Sequence, residues 1–273
     1  MLRSENRLNY HLNPIFDDNL SKLEYMPKLS AVVITYNEDE HIEKCLASLQ
    51  QVADEIIVVD SGSTDETLNI ADKFTSNIFF REWEGYAMQK NYAFPLCTNK
   101  WVLSLDADEV LSDKLIDEIK EFLQFEKSWK YIGCRIPRKL FIGERCFKSG
   151  GFYPDYQLRL FIKNYGRFKQ IPVHEYVEVY DTSRDQYVSK DKKLIYDFKQ
   201  PIKHYSYKSV REYESAHMKF AVLFQKKTNP FFAFVKASYS LLYRFIIRAG
   251  FLDGLIGLQL AFIYAKYTFK KYQ

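Results

Sequence analysis

The sequence predicts an α/β fold: a mixed, Rossmann-like central sheet flanked by helices and followed by a C-terminal helical region. Two observations lead to this prediction. Short apolar runs alternate with helical patterns over the first half of the chain, as in right-handed βαβ units with parallel strands. The rhythm changes near Tyr131 to short strand-like pieces and turns, which we expect to form the mixed part of the sheet.

Apolar periodicity places the elements of the first half. Buried strands are predicted at residues 29–35, 55–59, 77–80 and 101–104. Helices are predicted at residues 40–50, 86–94 and 111–125, where apolar residues recur at helical spacing. A further helix is expected to open at Ser63-Thr-Asp-Glu66, which has the pattern of a capping box.

The second half is predicted to hold more strands and then the C-terminal helices. Strands are expected at residues 131–136, 157–162 and 173–180, and helices at residues 209–227, 231–248 and 250–271. The resulting division is an N-terminal extension at residues 1–27, a main α/β domain at 28–205 and an amphipathic helical region at 206–273.

The composition excludes a disordered chain, and the charges are distributed unevenly along the sequence. The 273 residues are 47% hydrophobic and 27% charged, which is typical of a globular protein. Residues 201–273 hold 12 Lys and Arg against 3 Asp and Glu, although the whole chain carries a net charge of only +4. A basic tail on an acidic body indicates an anionic partner, either a membrane or a nucleic acid.

The tail has the composition of a helix that lies in a membrane interface. Its longest run without charge, residues 254–265, is too short to cross about 30 Å of hydrocarbon. Phe and Tyr are abundant, and Lys236, Arg244 and Arg248 recur at multiples of four. The alternative is a pair of helices packed on the domain itself or on a second subunit, which leaves a homo-oligomer open.

The cysteines and the N-terminus favour a reducing, cytosolic setting. None of the four cysteines forms a C-x-x-C pair, so we expect free thiols and no zinc site. Residues 1–20 are polar and lack the apolar core of a signal peptide.

Polar residues follow three of the predicted strands. Tyr36, Asn37 and Glu38 follow the first, Asp60 begins a turn after the second, and Asp106-Ala-Asp108 follows the fourth. Open α/β sheets bind ligands at the carboxyl ends of their strands. Two carboxylates at this spacing suit a divalent cation that a substrate phosphate also binds. No G-x-G-x-x-G or P-loop pattern accompanies them, so a dinucleotide fingerprint is not expected.

These blocks resemble family 2 glycosyltransferases of the GT-A fold. The resemblance rests on Val33-Ile-Thr-Tyr-Asn-Glu38, Asp60-Ser-Gly-Ser-Thr-Asp65 and Asp106-Ala-Asp108. Three more blocks resemble the subgroup that builds the lipopolysaccharide core, and within it the β-1,4-glucosyltransferases: Gly85-Tyr-Ala-Met-Gln-Lys-Asn91, Pro154-Asp-Tyr-Gln-Leu-Arg-Leu-Phe161 and Val173-His-Glu175. Gly250-Phe-Leu-Asp-Gly254 in the tail is also similar to that subgroup.

The resemblance implies a set of site residues. Glu38 and Asp60 would hold the base and ribose of a sugar nucleotide, and Asp106 would contact the ribose or the shell of the metal. Asp108 would bind Mg²⁺ or Mn²⁺, with His174 as a further candidate ligand. The other residues of the predicted substrate site are Thr35, Tyr36, Asn37, Ser61, Gly62 and Ala107, together with Lys90 and Arg159 as the cations for the diphosphate.

The base of an inverting transfer is left open between two residues. Asp155 is preferred from its place in Pro154-Asp-Tyr-Gln-Leu-Arg, and Glu175 is the rival.

The implied function is an inverting, metal-dependent hexosyltransferase. The donor would be a UDP-hexose, with glucose favoured, and the acceptor a lipid-linked saccharide such as the lipopolysaccharide or lipooligosaccharide inner core. The enzyme would lie in the cytoplasm, peripherally on the anionic inner face of the cytoplasmic membrane. Alternatives are a polyprenyl-linked or capsular acceptor and, from a different class, a nucleic-acid-binding protein that uses the basic tail. The latter is disfavoured because no nucleic-acid motif is present.

Overall fold

Four parallel strands form the first half of the central sheet. The computed structural model describes residues 27–124, 130–169, 176–181 and 186–273. The parallel strands are β1 (Leu29–Thr35), β2 (Glu55–Asp60), β3 (Ile78–Phe80) and β4 (Trp101–Asp106), in the spatial order β3-β2-β1-β4. Thr35 pairs with Asp60, and Ile34 pairs with Asp106. This register brings the carboxyl ends of β1, β2 and β4 to one edge.

The second half of the sheet is mixed. Its strands are β5 (Glu109–Leu111), β6 (Gly133–Ile142), β7 (Arg145–Phe147), β8 (Asp155–Ile162), β12 (Ile195–Asp197) and β13 (Ile202–Tyr207). The strand β8 runs antiparallel to both β4 and β6, and so joins the two halves. The strand β13 lies between β6 and β5. This position brings residues from late in the chain next to the loop that follows β4. A separate antiparallel sheet consists of β9 (Gly166–Phe168), β10 (Val177–Asp181) and β11 (Gln186–Tyr187).

Alternating residues of the parallel strands are buried on opposite faces of the sheet. Ala31 and Val33 of β1 pack with two helices, α1 (Ile42–Leu49) and α4 (Asp113–Gln124). Val32 and Ile34 pack on the other side, with α3 (Tyr86–Leu96) and the small sheet. Strands that are covered on both faces read as continuous apolar runs, which is why the sequence pattern identifies them.

Two local expectations are wrong. Ser63 and Glu66 do not form a capping box: α2 (Thr67–Ala71) begins later, Glu66 provides no side-chain cap, and Oδ1 of Asp65 accepts from the N–H of Thr67 at 3.0 Å. The hydroxyl of Ser63 instead accepts from the loop after β1. The helix α3 also continues through Pro95 to Leu96, because a proline in the last turn disrupts little of the remaining helix.

Three helices follow the sheet, and two of them pack against the ends of β6 and β7. They are α5 (Val210–Leu223), α6 (Pro230–Leu242) and α7 (Gly254–Tyr272), with a π-helical turn at Tyr243–Ile247 and a 3₁₀ turn at Gly250–Asp253. A small apolar cluster joins them to the sheet, with Tyr213, Leu260 and Ile263 packed against Ile142 and Phe147. In the following, "the C-terminal helices" means residues 210–272.

The length and hydropathy of the C-terminal helices decide whether one of them could cross a membrane. Over the described parts of the chain, no single helix is both long and apolar enough to cross a bilayer. The pair Pro230–Ile247 and Gly250–Tyr272, which is bent by 71°, meets the same criteria when taken together. The division of the chain into residues 1–27, 28–205 and 206–273 stays a prediction, and most of the first segment lies outside the described residues.

Candidate active site

The loops that follow β1 and β2 are bound to each other through Asn37 and Ser63. The backbone N–H of Asn37 donates to Oγ of Ser63 at 2.9 Å, and the N–H of Thr64 donates to Oδ1 of Asn37 at 2.8 Å. Asn37 has a φ of +53°, a left-handed conformation that asparagine tolerates better than most residues. These bonds hold Asn37 and the neighbouring Glu38 at the carboxyl edge of the sheet.

Asp60 stabilises the turn at the end of β2. Its Oδ2 atom accepts from the N–H groups of Gly62, at 2.7 Å, and Ser63, at 2.9 Å. Gly62 has a φ of +96°, which explains the glycine at this position. Ser61 accepts a hydrogen bond from Gln89 at 2.8 Å. Asp60 is almost completely buried, so its observed contacts are those of a loop organiser, and its contact with a donor stays a prediction.

The remaining predicted residues near β1 differ in exposure. Tyr36 is exposed, and the methyl group of Ala107 is buried. The hydroxyl of Thr35 is buried and has no hydrogen-bond partner within the described chain. A buried hydroxyl without a partner at the carboxyl end of a strand is an available contact for a ligand.

Asp106 is held by two buried cations. Nζ of Lys90 lies 2.6 Å from its Oδ1, and Nη2 of Arg159 lies 2.7 Å from its Oδ2. Burial opposes ionisation of Asp106, but the charges of Arg159 and Lys90 outweigh it and hold the pKa well below its usual range. Both cations predicted for the diphosphate therefore contact Asp106 in the structure, and their role at the diphosphate stays a prediction.

A chain of ion pairs continues from Arg159 to the candidate base. Arg159 also contacts Oε1 of Glu109 at 2.6 Å, and Nη1 of Arg138 contacts the same oxygen at 3.1 Å. Arg138 then donates to Oδ2 of Asp155, at 3.0 Å from Nε and 2.8 Å from Nη2. Gln157 donates to the other oxygen of Asp155 at 2.8 Å. Since Glu109 is completely buried, this network fixes the positions of Asp106 and Asp155 relative to each other.

Asp108 faces a histidine that the sequence patterns did not identify. Its Oδ2 atom lies 3.2 Å from Nε2 of His204, which β13 brings to this edge of the sheet. Burial raises the pKa of Asp108, but the charge and hydrogen bond of His204 outweigh burial and lower it. Ser206 is also within hydrogen-bond distance of the His204 ring. A carboxylate and an imidazole that converge in this way are a suitable ligand pair for a divalent ion.

Glu38 lies in a negative field beside this pair. Burial is the main cause that raises its pKa to about 7, and the charges of Asp108, Asp65 and Asp106 add to it. A carboxyl group in such surroundings gains from a nearby cation, because a positive charge favours its ionised form.

Three residues of the site were not predicted, and two predicted residues lie outside the described part of the chain. His174 and Glu175 lie outside the described residues, so their roles stay predictions. Glu109, Arg138 and His204 were missed. Glu109 directly follows Asp106-Ala-Asp108, and that position was the only available signal for it. Arg138 and His204 lie in no recognisable motif, and only the pairing of β6, β8 and β13 brings them to the site.

The comparisons with known proteins identify the family. Residues 30–183 match the family model described as glycosyl transferase family 2. The chain is also 32% identical over 253 residues to a protein of Rickettsia felis named "Uncharacterized glycosyltransferase". The match covers 88% of this chain and 86% of that protein. The chain belongs to glycosyltransferase family 2. The predicted family and enzyme class are therefore confirmed.

A second relative of this family 2 glycosyltransferase has a more specific name. It is 33% identical over 150 residues to "Lipopolysaccharide core biosynthesis glycosyltransferase LpsC" of Rhizobium meliloti, over 52% of this chain and 54% of LpsC. Such a partial match agrees with the predicted resemblance to enzymes of the lipopolysaccharide core.

Two solved nucleotide-sugar complexes match the chain with TM-scores below 0.5. Residues 1–349 of S. aureus TarS with UDP-GlcNAc match with a TM-score of 0.46 and 19% identity, over 87% of this chain and 79% of that one. The mannosyltransferase PcManGT from Pyrobaculum calidifontis with GDP-Man and Mn²⁺ matches with a TM-score of 0.47 and 16% identity. This match covers 90% of this chain and 74% of PcManGT. The predicted fold class, GT-A with a mixed central sheet and C-terminal helices, is confirmed by the sheet order and the family.

Asp108 and His204 are the side chains at this edge that are suited to hold a divalent ion. No group of three or more His, Cys, Asp and Glu residues suited to a metal is found in the described part of the chain. Asp108 and His204 would supply two ligands, and magnesium and manganese sites in phosphate-transferring enzymes commonly take their remaining ligands from substrate oxygens and water. The fit therefore depends on a bound diphosphate.

Proposed function

We propose that this family 2 glycosyltransferase is an inverting, metal-dependent hexosyltransferase that uses a UDP-sugar, with UDP-glucose favoured. The observation that carries the proposal is the convergence of Glu38, Asp108 and His204 at the carboxyl edge of the sheet. When bound, Mg²⁺ or Mn²⁺ would act as a Lewis acid that offsets charge on the departing nucleoside diphosphate. Asp108 and His204 would hold that ion.

The residues around the metal pair would bind the nucleoside. A carboxylate at Glu38 accepts hydrogen bonds from ribose hydroxyls or from a base N–H. A bound cation would favour the ionised form of Glu38, which burial and the neighbouring carboxylates disfavour. The Thr35 hydroxyl supplies a further buried contact.

Asp155 would act as the general base. The transfer requires a group that removes the proton from the acceptor hydroxyl as its oxygen attacks the sugar. Arg138 and Gln157 each donate to one oxygen of Asp155, which fixes the orientation of the carboxylate. The acceptor proton would pass to Asp155, and the diphosphate would leave on the opposite side of the sugar. Glu175 remains the rival for this role.

A transfer assay with matched variants tests this mechanism. The purified protein would be incubated with Mn²⁺ and a panel of UDP- and GDP-sugars. It should release nucleoside diphosphate slowly from the sugar nucleotides, and the rate should be highest with UDP-glucose. Asp108→Ala and Asp155→Asn should lower transfer by at least about 100-fold, while the exposed Asp117→Asn on α4 should leave it unchanged. If Asp155→Asn retains activity and Glu175→Gln loses it, the base is Glu175. No release with any UDP-sugar would contradict the donor assignment.

We further propose that the acceptor is lipid-linked and that the C-terminal helices attach the enzyme to an anionic membrane surface. The apolar face is defined as the exposed large hydrophobic side chains of residues 231–262: Phe231, Phe232, Phe234, Val235, Tyr239, Leu242, Tyr243, Ile246, Ile247, Phe251, Leu252, Leu255 and Phe262. A contiguous stretch of sequence with this many exposed aromatic and aliphatic groups is unusual in a soluble protein.

The charge of the tail supports a lipid surface as the partner. The exposed lysines Lys226, Lys227 and Lys270 lie in the same helical region as the apolar face. Basic and aromatic residues together favour the headgroup region of an anionic bilayer. An acceptor of the lipopolysaccharide inner core, supported by the partial relationship to LpsC, would be presented at that surface. A polyprenyl-linked or capsular acceptor remains the alternative.

Liposome flotation tests the attachment. The protein should float with vesicles that contain phosphatidylglycerol and be released by alkaline carbonate, as expected of a peripheral protein. The triple variant Phe231→Ser/Phe234→Ser/Leu242→Ser should stay in the soluble fraction, while Tyr187→Ser, an equally exposed aromatic on the small sheet, should still float. Resistance to carbonate would contradict a peripheral position. Failure of the wild type to float, with reversible dimerisation in sedimentation, would indicate that a second copy covers the face.

A further inference from the structure

A cavity of about 400 Å³ lies between the candidate active site and the C-terminal helices. Its volume falls within the range of about 300–1,000 Å³ that is typical of ligand pockets. Its catalytic side includes Asp155 and His204, and its opposite wall includes Tyr213, Arg244 and Tyr264. The C-terminal helices therefore enclose one side of the space next to the candidate base.

We propose that this cavity binds the acceptor saccharide, that the acceptor carries an anionic group, and that Arg244 is the cation that binds this group. The proposal rests on the proposed transferase function and names the substrate class for its acceptor side. It gives the C-terminal helices a role in substrate recognition in addition to membrane attachment.

The position of Asp155 places the cavity on the acceptor side. The acceptor hydroxyl has to reach the base, and Asp155 lines the cavity. Asp108 and Glu38 do not line it and instead line a separate, smaller pocket of about 190 Å³. His204 lines the larger cavity and contacts Asp108, so it lies at the boundary between the two spaces. A sugar in the larger cavity would approach the metal pair from the side opposite the nucleoside.

The wall formed by the C-terminal helices is suited to a sugar ring. The rings of Tyr213 and His217 lie with their centroids 3.9 Å apart, and those of Tyr264 and Tyr267 lie 5.3 Å apart. Tyr264, Tyr267 and His217 are partly exposed and line the cavity. Aromatic faces pack against the C–H face of a sugar, and the hydroxyl and imidazole groups can bind its hydroxyls.

Arg244 provides a positive charge that no described carboxylate neutralises. One of its N–H groups donates to the carbonyl of Gly150 at 2.7 Å, and its guanidinium lies over the ring of Tyr264 at 3.4 Å. It forms no ion pair with any Asp or Glu in the described chain. Arg138, the other arginine of the cavity, already contacts Glu109 and Asp155. Since a guanidinium has five N–H donors and binds carboxylate or phosphate in a fork, Arg244 is suited to an anionic substituent.

The location of Arg244 in the chain links the cavity to the apolar face. Arg244 belongs to the π-helical turn Tyr243–Ile247, and three other residues of that turn, Tyr243, Ile246 and Ile247, are exposed on the apolar face. A saccharide bound at Arg244 is therefore only one turn of helix away from the surface proposed to contact lipid. This arrangement fits an amphiphilic acceptor whose anionic sugar enters the cavity while its lipid stays in the bilayer.

Binding of small glycosides tests the proposal. Three probes without a lipid tail would be titrated against the protein in the presence of UDP and Mn²⁺: methyl glucoside, methyl glucuronide and methyl glucoside 6-phosphate. Wild-type protein should bind at least one anionic probe about ten-fold more tightly than the neutral one, and the carboxylate and phosphate arms show which anion is preferred. Arg244→Gln should reduce this preference to less than two-fold, and Arg244→Lys should retain part of it. Lys219→Gln, an exposed cation on α5, should retain all of it.

The outcomes separate this proposal from the proposed function. Equal binding of neutral and anionic probes by the wild type would overturn the proposal even if Arg244→Gln does not fold. An unchanged anion preference in a folded Arg244→Gln variant would overturn it as well. Release of UDP from UDP-glucose by the wild type reports on donor chemistry alone. Normal UDP release without anion preference therefore contradicts only the acceptor cavity, and anion preference without UDP release contradicts only the donor assignment.

Discussion

The Oδ2 atom of Asp108 lies 3.2 Å from Nε2 of His204, although one residue follows β4 and the other lies on β13. The pairing of β13 with β5, in which His204 is opposite Glu109, produces this proximity. The second carboxylate of the Asp106-Ala-Asp108 segment thus has a histidine partner, while the first is bound to Lys90 and Arg159. The two carboxylates have different environments, and we expect them to have different functions.

The first prediction concerns this pair. His204→Gln should weaken binding of Mn²⁺ in the presence of UDP and lower transfer by about 100-fold, because loss of a ligand removes several kcal/mol of Lewis-acid stabilisation. Calorimetric titration of Mn²⁺ and initial rates at increasing Mn²⁺ are the measurements. Asp117→Asn serves as the folded control. Unchanged Mn²⁺ affinity in His204→Gln would show that the imidazole is not a ligand.

The second prediction concerns the pH dependence of stability without metal. The pKa of Glu38 is raised from 4.5 to about 7 in the folded protein, mainly by burial and then by Asp108. Between these values the folded state binds more protons than the unfolded state, so this group's contribution to stability falls as pH rises from about 4.5 to about 7. Above pH 7 the contribution is constant.

Comparison with Glu38→Gln isolates this effect. The melting temperature of the wild type, relative to that of Glu38→Gln, should fall as pH rises from about 4.5 to about 7 in the presence of EDTA. Mn²⁺ with UDP should reduce the difference, because a cation near Glu38 favours its ionised form. Parallel melting curves for the two proteins over this pH range would contradict the assignment.

The third prediction concerns the buried network around Glu109. Glu109→Gln leaves Arg159 and Arg138 with one fewer charged partner in a buried site, so the free energy of unfolding should fall by about 3–5 kcal/mol. Chemical denaturation measures this loss. Lys266→Gln, which removes the exposed ion pair with Glu214, should change stability by less than about 1 kcal/mol. Similar effects of the two substitutions would mean that the network adds little to stability.

The fourth prediction concerns the contact between the 3₁₀ turn and α7. A Cβ atom at Gly257 would lie 2.0 Å from the carbonyl oxygen of Gly250, so the backbone would have to move apart. Gly257→Ala should therefore destabilise the protein by about 1–3 kcal/mol, despite the better helix propensity of alanine. Gln259→Ala, at an exposed position of the same helix, is the control for thermal unfolding. Equal stability of the two variants would show that the 3₁₀ turn can move away from α7 without loss of stability.

The sequence by itself determined the parallel half of the fold and the segments that form the edge of the site. Strands β1, β2 and β4 are covered on both faces, so their apolar runs are visible without an alignment, and the polar residues after them have to lie at one edge of a parallel sheet. The same local order made the family resemblance recognisable. The boundaries of α2 and the role of Ser63 were misjudged, because the hydroxyl that fits a capping box is used by a loop from another part of the chain.

Only the tertiary structure decided which side chains meet. The contacts of Asp106 with Lys90 and Arg159, of Glu109 with Arg138, and of Asp108 with His204 join elements that are distant in sequence. Periodicity reports whether one element is buried, but it contains no information about which strand pairs with which. The antiparallel return of β8 and the insertion of β13 between β6 and β5 supply that information, and with it the cavity that the C-terminal helices enclose.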